Sequence, residues 1–408
     1  MAPALRSSRV ETRVPHLRRG FLLAVISGLA LTALFVIGRP YVRGFSFIVR
    51  ATDQHGWMRA VATVDSVSVT EQPLLIPSND LWLRGRAYVP AGRPRQTVLL
   101  VPGLHPGGID EPRLVAFARG LAGARILVVT PDIPELRHFE ITPLLTERIE
   151  RAAFWLSSSP ALAPAGRIGL MGISFSGGLA IVAAGRPSLQ HRLLYVFSFG
   201  GHDDLRRVLQ YFCGEREPHP SGLGPPSDAD EGTPGAHDYG LAVATLNVAD
   251  ALVPAEQAPA LREGVRRYLW ASYLTRSDPP AAEHEFAAAR DLARGLPEPA
   301  ASVLREVNAR DVGRLGRRLG PYIEAYLRTT DLSPARSANP TAPLYLLHGR
   351  EDTVIPVTEP QHLADRLRGQ LPVHLLITDL ISHAAADQPP HFVAELALIA
   401  FWSDLLSQ

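Results

Sequence analysis

Three side chains that could together run nucleophilic chemistry lie in separate parts of this chain: Ser174, Asp352 and His383. A serine hydroxyl is a weak nucleophile at neutral pH, so it needs a base within hydrogen-bond reach. A histidine supplies that base, and a carboxylate fixes the histidine's tautomer. The serine has the most specific setting. In Arg167-Ile168-Gly169-Leu170-Met171-Gly172-Ile173-Ser174-Phe175-Ser176-Gly177-Gly178, a short apolar run ends in a Gly/Ser cluster. It then opens into the helix-like Leu179-Ala180-Ile181-Val182-Ala183-Ala184. That is a strand, a sharp turn and a helix with serine at the apex. Small residues must stand two positions before and two after the serine, because strand and helix pass almost in contact there. Gly172 and Ser176 fill those positions, giving G-x-S-x-S where the strict pattern is G-x-S-x-G, and Gly177 follows at once.

Ser176 is the alternative apex, flanked by the small residues Ser174 and Gly178. The strand length favours Ser174, since a helix can then begin at Phe175 without a break. Two partners follow downstream. Pro343 to Gly349 reads as a buried strand whose loop reaches Asp352, with the spacing H-G-x-x-D from His348 and Gly349. Val373 to Thr378 reads as another strand, and its loop ends at His383. The order nucleophile, acid, base resembles that of the α/β-hydrolases, over about residues 64 to 210 and 340 to 408. The resemblance implies a mostly parallel central sheet with helices on both faces. It also implies an oxyanion hole made by the backbone N–H groups of Leu104 and Phe175. Pro102 stands where the family's H-G-x motif has its histidine, so that assignment rests on Gly103 and Leu104. His105 comes too early in the chain to be the base and reads as a loop residue at the mouth of the site. Asp203 and Asp204, just past the sixth strand, are the alternative positions for the acid. The cluster His202-Asp203-Asp204 is not read as a metal site, because adjacent residues seldom converge on one ion. The proposed chemistry needs no metal and no organic cofactor.

The positioning elements are legible as a succession. An antiparallel pair is expected at Val64 to Val69 and Leu81 to Val89, turning at Ser78-Asn79-Asp80. A strand at Thr97 to Val101, a helix around Glu111 to Ala122 and a strand at Arg125 to Thr130 follow. An amphipathic helix capped by Thr142-Pro143 should cover Thr142 to Ser158. After the elbow comes a strand at Leu193 to Phe199. Strands alternating with helices at this spacing require a parallel sheet, with the ligand crevice at the carboxyl ends of its strands. Between residues 205 and 340 the pattern turns helical, and the resemblance implies a cap inserted between the sixth and seventh strands. Its stripes, Leu261, Val265, Tyr268, Leu269 and then Leu315, Leu319, Tyr322, Ile323, Tyr326, read as packing faces. Ten of the twenty-two residues from Gly214 to Gly235 are Gly or Pro, which marks an irregular loop.

Composition bounds the rest. The 408 residues carry a net charge of +1, which argues against a nucleic-acid partner. All 41 basic residues are arginine, the signature of a GC-rich genome and not of a site. A single cysteine, Cys213, excludes an internal disulfide and reads as a small buried residue. Residues 1–20 form a basic tail, and Phe21 to Gly38 is uncharged, long enough as a helix to reach about 27 Å. Five arginines precede this run and three follow it by residue 50. That bias places the N-terminus in the cytoplasm and the bulk of the chain outside it. Val36 to Pro40 has no small-x-small cleavage site, which favours an uncleaved anchor over a signal peptide. Residues 39–60 read as a connector, 61–204 and 341–408 as the two parts of the core. The expectation is a membrane-anchored serine esterase acting on a small or lipid-like ester. A peptidase, thioesterase or acyltransferase on the same scaffold, or a non-catalytic binding protein, are the alternatives.

Overall fold

The computed structural model describes residues 38, 40–50, 66–78, 81–214, 238–330, 332–381, 383 and 392–408. Its centre is an eight-stranded sheet: β1 (Val69–Pro77), β2 (Trp82–Pro90), β3 (Gln96–Val101), β4 (Ile126–Pro131), β5 (Ile168–Ile173), β6 (Leu193–Phe199), β7 (Leu344–Gly349) and β8 (Val373–Thr378). The spatial order is β1-β2-β4-β3-β5-β6-β7-β8. β2 runs antiparallel to β1 and β4, and every other pair is parallel. This is the mostly parallel central sheet, with helices on both faces, that the resemblance implied. Central strands β3, β4 and β7 are buried along their whole length, whereas edge strands β1 and β8 alternate or stay half open. Parallel strands covered on both faces need such continuous apolar runs.

Alternation along each strand divides the interior into two cores. Leu99, Val101, Val129 and Leu170 point to one face, with α4 (Leu144–Ser157) and α5 (Phe175–Ala184) packed over them. Val98, Leu100, Val128, Met171 and Phe197 point to the other, beneath α2 (Pro112–Gly123) and α13 (Phe392–Leu405). α2 is capped by Glu111, whose carboxylate accepts from Leu114 N at 2.7 Å. A four-residue helix, α3 (Pro134–Arg137), follows β4.

Two local expectations are corrected, and one segment gains structure. The first strand spans Val69–Pro77, not 64 to 69, because the hairpin register pairs Pro77 with Trp82 and carries the ladder back to Val69 opposite Pro90. Pro73 and Pro77 are tolerated there because β1 is an edge. α4 starts at Leu144, and Thr142 does not cap it: the Thr142 hydroxyl has no hydrogen-bond partner and only its carbonyl accepts from Leu145 N. The segment read as a connector contains a helix, α1, at residues 40–50, and it is docked onto the core. A Cβ on Gly44 would lie 2.6 Å from the Ile399 carbonyl of α13, and Phe47 is only 1% exposed. Residues 21–37 of the apolar run lie outside the described residues. Among those described, no helix is long and apolar enough to cross a membrane.

Between β6 and β7 stand six helices among the described residues: α6 (Leu205–Phe212), α7 (Asp238–Leu252), α8 (Ala258–Leu274), α9 (Pro279–Gly295), α10 (Ala300–Asn308) and α11 (Val312–Leu327). α7 is apolar nearly all round and is the buried hub of this insertion. Leu261, Val265, Tyr268 and Leu269 of α8 and Leu315, Leu319 and Ile323 of α11 are buried, while Tyr322 and Tyr326 pack at the margin. Asn247 of α7 ties the insertion to the core, accepting from Ile141 N and donating to the Phe139 carbonyl, each at 2.8 Å. The Gly/Pro-rich stretch lies mostly outside the described residues, and Cys213 at its start is half-buried. Helix α12 (Thr358–Leu367) lies between β7 and β8.

Candidate active site

The turn between β5 and α5 holds Ser174 at φ 55°, ψ −134°, a conformation that a non-glycine residue adopts only at a cost of about 1–3 kcal/mol. Its surroundings over-determine it. Ser174 N donates to the Phe199 carbonyl at 2.6 Å, and Gly177 N donates to the Ser174 carbonyl at 2.7 Å. A Cβ on Gly172 would sit 2.1 Å from the Ser176 carbonyl oxygen, so strand and helix meet here at glycine distance. Gly177 is equally constrained, since its Cβ would fall 2.3 Å from Ser198 Oγ. Ser176 is fully buried and donates to the Pro102 carbonyl at 2.6 Å. Its hydroxyl therefore faces the β3 loop and not the cavity, which separates the two serines by environment.

His383 lies over the apex: its Nε2 is 2.7 Å from Ser174 Oγ. Its Nδ1 is 2.7 Å from Asp352 Oδ2 and 2.9 Å from Oδ1. With Nδ1 protonated towards the carboxylate, Nε2 is free to accept from the serine. Asp352 is held by Val354 N and Ile355 N, which donate to Oδ1 at 2.8 and 2.9 Å. Burial, the largest single influence on its carboxyl, pushes the pKa up; the charge and hydrogen bond of His383 and the backbone donors outweigh it and hold it below the usual carboxylate range.

Sequence reasoning missed three supports. His348 is buried beside Asp352, with Nε2 2.9 Å from the Ile355 carbonyl and 3.4 Å from Asp352 Oδ2; burial lowers its pKa and keeps it neutral. Gly200, at φ 66°, lies beside the pair: a Cβ there would come to 3.6 Å from Asp352 Oδ2 and 3.8 Å from the His383 ring. His202 stacks on Phe175 at 4.9 Å and 12° and closes against Gly178, bracing the elbow helix. His348 and His202 are noted in the sequence, in the H-G-x-x-D spacing and the His202-Asp203-Asp204 cluster, but neither pattern announces a bracing role.

The loop after β3 faces the elbow. A Cβ on Gly103 would lie 3.3 Å from both the Ser174 Cβ and the Ile173 carbonyl, so Leu104 follows at the serine's side. Among the described residues, no turn or loop carbonyl accepts from the Leu104 or Phe175 N–H. The Leu104 carbonyl accepts from the Tyr239 hydroxyl of α7 at 3.3 Å, which links this loop to the insertion. His105 packs edge-on against Tyr273 at 4.7 Å and accepts from Gly107 N at 3.2 Å; burial lowers its pKa to about 4, so it is neutral at pH 7. It lines the cavity with Ser174, on the side of α8.

Asp203 and Asp204 are not brought to His383. Asp203 pairs with Arg366 at 2.8 Å and Arg207 at 3.1 Å. Asp204 pairs with Arg336 at 2.6 Å; burial acts against its ionised form, but Arg336, Arg206 N and Arg207 prevail and lower its pKa. Glu359, fully buried, accepts from Asp203 N, Asp204 N and Arg207. Burial is the largest influence on Glu359 and pushes its carboxyl up. Among the described residues no group of three His, Cys, Asp or Glu is placed to hold a metal ion. The arginines Arg314 and Arg318 pair with Glu306 of α10.

No known family's profile matches the chain, and no curated protein matches it. Among solved structures it is similar to an acylaminoacyl peptidase in complex with a Z-Gly-Gly-Phe chloromethyl ketone, at 14% identity and TM-score 0.45 over 83% of this chain and 41% of that one. It is similar to dienelactone hydrolase from Anabaena variabilis, at 17% and 0.41 over 82% and 96% of the two chains. It is similar to Pyrobaculum calidifontis esterase, at 16% and 0.42 over 86% of each. The chain thus spans 41% of the length of the first of these peptidases. These likenesses concern the course of the backbone and transfer no activity.

Proposed function

We propose that the chain is a serine hydrolase that cleaves a carboxylic ester through an acyl-enzyme. One observation carries the reading: a hydroxyl on a strained turn and an imidazole 2.7 Å away open on one cavity, with a buried carboxylate 2.7 Å behind the imidazole. Ser174 Oγ attacks the acyl carbon while its proton passes to His383 Nε2. Asp352 holds the ring's tautomer and stabilises the imidazolium. The Leu104 and Phe175 N–H groups receive the negative charge on the carbonyl oxygen; one such donor is worth about 3 kcal/mol of barrier. His383 then protonates the departing alkoxide, and the same base activates water to free the acid and restore the serine. Gly172 and Gly177 serve this chemistry by letting the elbow form, and Ser176 by tying it to the β3 loop.

The test is hydrolysis of p-nitrophenyl butyrate by the full-length protein in mild detergent. Turnover that falls by at least a thousandfold in Ser174→Ala and His383→Ala supports the reading; equal turnover in the wild type and both variants removes it. A chain cut at residue 60 is unsuitable, because α1 would be lost with it. We also assign residues 21–38 as an anchor that leaves the hydrolase outside the cytoplasm, on the arginine asymmetry alone. Release of the protein from membranes by alkaline carbonate would contradict that assignment.

A further inference from the structure

The cavity that opens at Ser174 extends well beyond the elbow. It is a single space of about 840 Å³, towards the upper end of the roughly 300–1,000 Å³ usual for small-molecule sites. One part of its wall is made by Phe47 and Ile48 of α1, Ala116 and Phe117 of α2, and Leu398 and Trp402 of α13. All six are apolar, and none of these helices carries a catalytic group. Their packing is continuous with the site. Phe199, where β6 ends beside the elbow, lies 6.5 Å from Phe117; Phe117 lies 5.8 Å from both Trp402 and Phe47; Phe47 lies 4.4 Å from Trp402. α1 is fixed there by Gly44 against α13 and by contact between Phe47 and Gly120 of α2.

Polar lining comes mainly from other elements, at His105, Ser272, Arg276 and Ser277, with Glu111 and Arg113 at the first turn of α2. An ester cleaved in two steps loses its alcohol first, while the acyl group stays bonded to serine until water arrives. The departing group needs a wet exit, and the retained group benefits from a dry arm. We propose that the arm closed by α1 holds a linear aliphatic acyl chain, and that Ile48 and Ala116 set the chain length accepted. The substrate class would then be long-chain acyl esters, with a specificity wall supplied by a helix outside the hydrolase core. This rests on the ester-hydrolase reading of Ser174.

The experiment uses full-length protein in mild detergent and p-nitrophenyl esters from two to sixteen acyl carbons. Burial of each methylene should raise kcat/KM about fourfold until the arm is full. Ile48→Trp and Ala116→Trp should each lower kcat/KM at least tenfold for twelve carbons and longer, and leave the four-carbon ester within twofold. Ala116 is exposed on its helix, so its variant tests the arm even if Ile48→Trp folds poorly. A second readout is independent of turnover: displacement of cis-parinaric acid from Ser174→Ala, which both tryptophans should weaken at least tenfold. Ester turnover whose length profile, like parinarate binding, ignores both substitutions overturns the arm and leaves the hydrolase reading intact. Absent turnover with parinarate binding weakened by them supports the arm and fails the hydrolase reading.

Discussion

Strands β6 and β7 lie side by side, and the loops that follow them carry nearly the same residue types: His202, Asp203 and Asp204 in one, Asp352 with His348 just before it in the other. All five side chains are buried. Their partners differ. Each β6 carboxylate faces a guanidinium, from Arg366 and Arg207 or from Arg336, and Arg207 also binds Glu359. Among the described residues, the Asp352 carboxylate meets imidazoles and backbone N–H groups and no guanidinium. A guanidinium keeps its proton at any accessible pH, so a carboxylate bound to it is a strut. An imidazole exchanges its proton near neutrality, so a carboxylate bound to it can govern proton transfer. The β6 cluster locks the root of the insertion to α12, while in the proposed reading the β7 loop serves the chemistry. Neighbours, more than residue type, divide the two roles.

The sharpest way to break this contrast is a pair of isosteric changes. Asp352→Asn should lower kcat for ester hydrolysis about ten-thousandfold, because the imidazole would be held in the wrong tautomer. Asp203→Asn should leave kcat within a few-fold while costing about 3 kcal/mol of unfolding free energy, since it unpairs Arg366 and part of Arg207. Urea denaturation and steady-state kinetics on both variants decide it. A large loss of kcat in Asp203→Asn with little in Asp352→Asn would reverse the assignment of the acid.

A smaller effect separates the two serines. Ser176→Ala deletes one buried hydrogen bond to the Pro102 carbonyl, worth about 1 kcal/mol of stability. Activity should persist, measured with the same ester, because Ser176 touches the β3 loop and not the base. Loss of turnover comparable to that in Ser174→Ala would merge the two roles.

A further effect is a pH dependence. Burial lowers the His105 pKa to about 4, against about 6.5 unfolded. The unfolded chain therefore binds more protons between those values, and stability gained from neutral His105 at pH 7 is lost as pH falls through about 6.5 towards about 4. In His105→Gln the drop in melting temperature between pH 7 and pH 4.5 should be smaller than in the wild type. An unchanged drop would show that His105 titrates normally.

What was legible in the chain was local constraint. The elbow could be read because strained backbone and close contact demand small residues at fixed offsets around Ser174. The meeting of Asp352 and His383 with Ser174 could be read because a parallel sheet delivers strand ends to one edge in a set order. Long-range packing was not legible. Nothing near residue 47 announces that Phe47 will meet Trp402, and its apolar neighbours merge with the run before them. The first strand was misplaced for a related reason: Glu71, Gln72 and Pro73 break the alternation, yet the hairpin register recruits them. His348 reads as part of the H-G-x-x-D spacing, and His202 as a neighbour of the alternative acids. Their roles as braces depend on Phe175 and Ile355, contacts that only the fold supplies.

The most direct test is where an acylating probe bonds. Full-length protein treated with a fluorophosphonate, digested and read by tandem mass spectrometry should carry one adduct, on Ser174, and Ser174→Ala should carry none. An adduct on Ser176, or undiminished labelling of Ser174→Ala, would contradict the account.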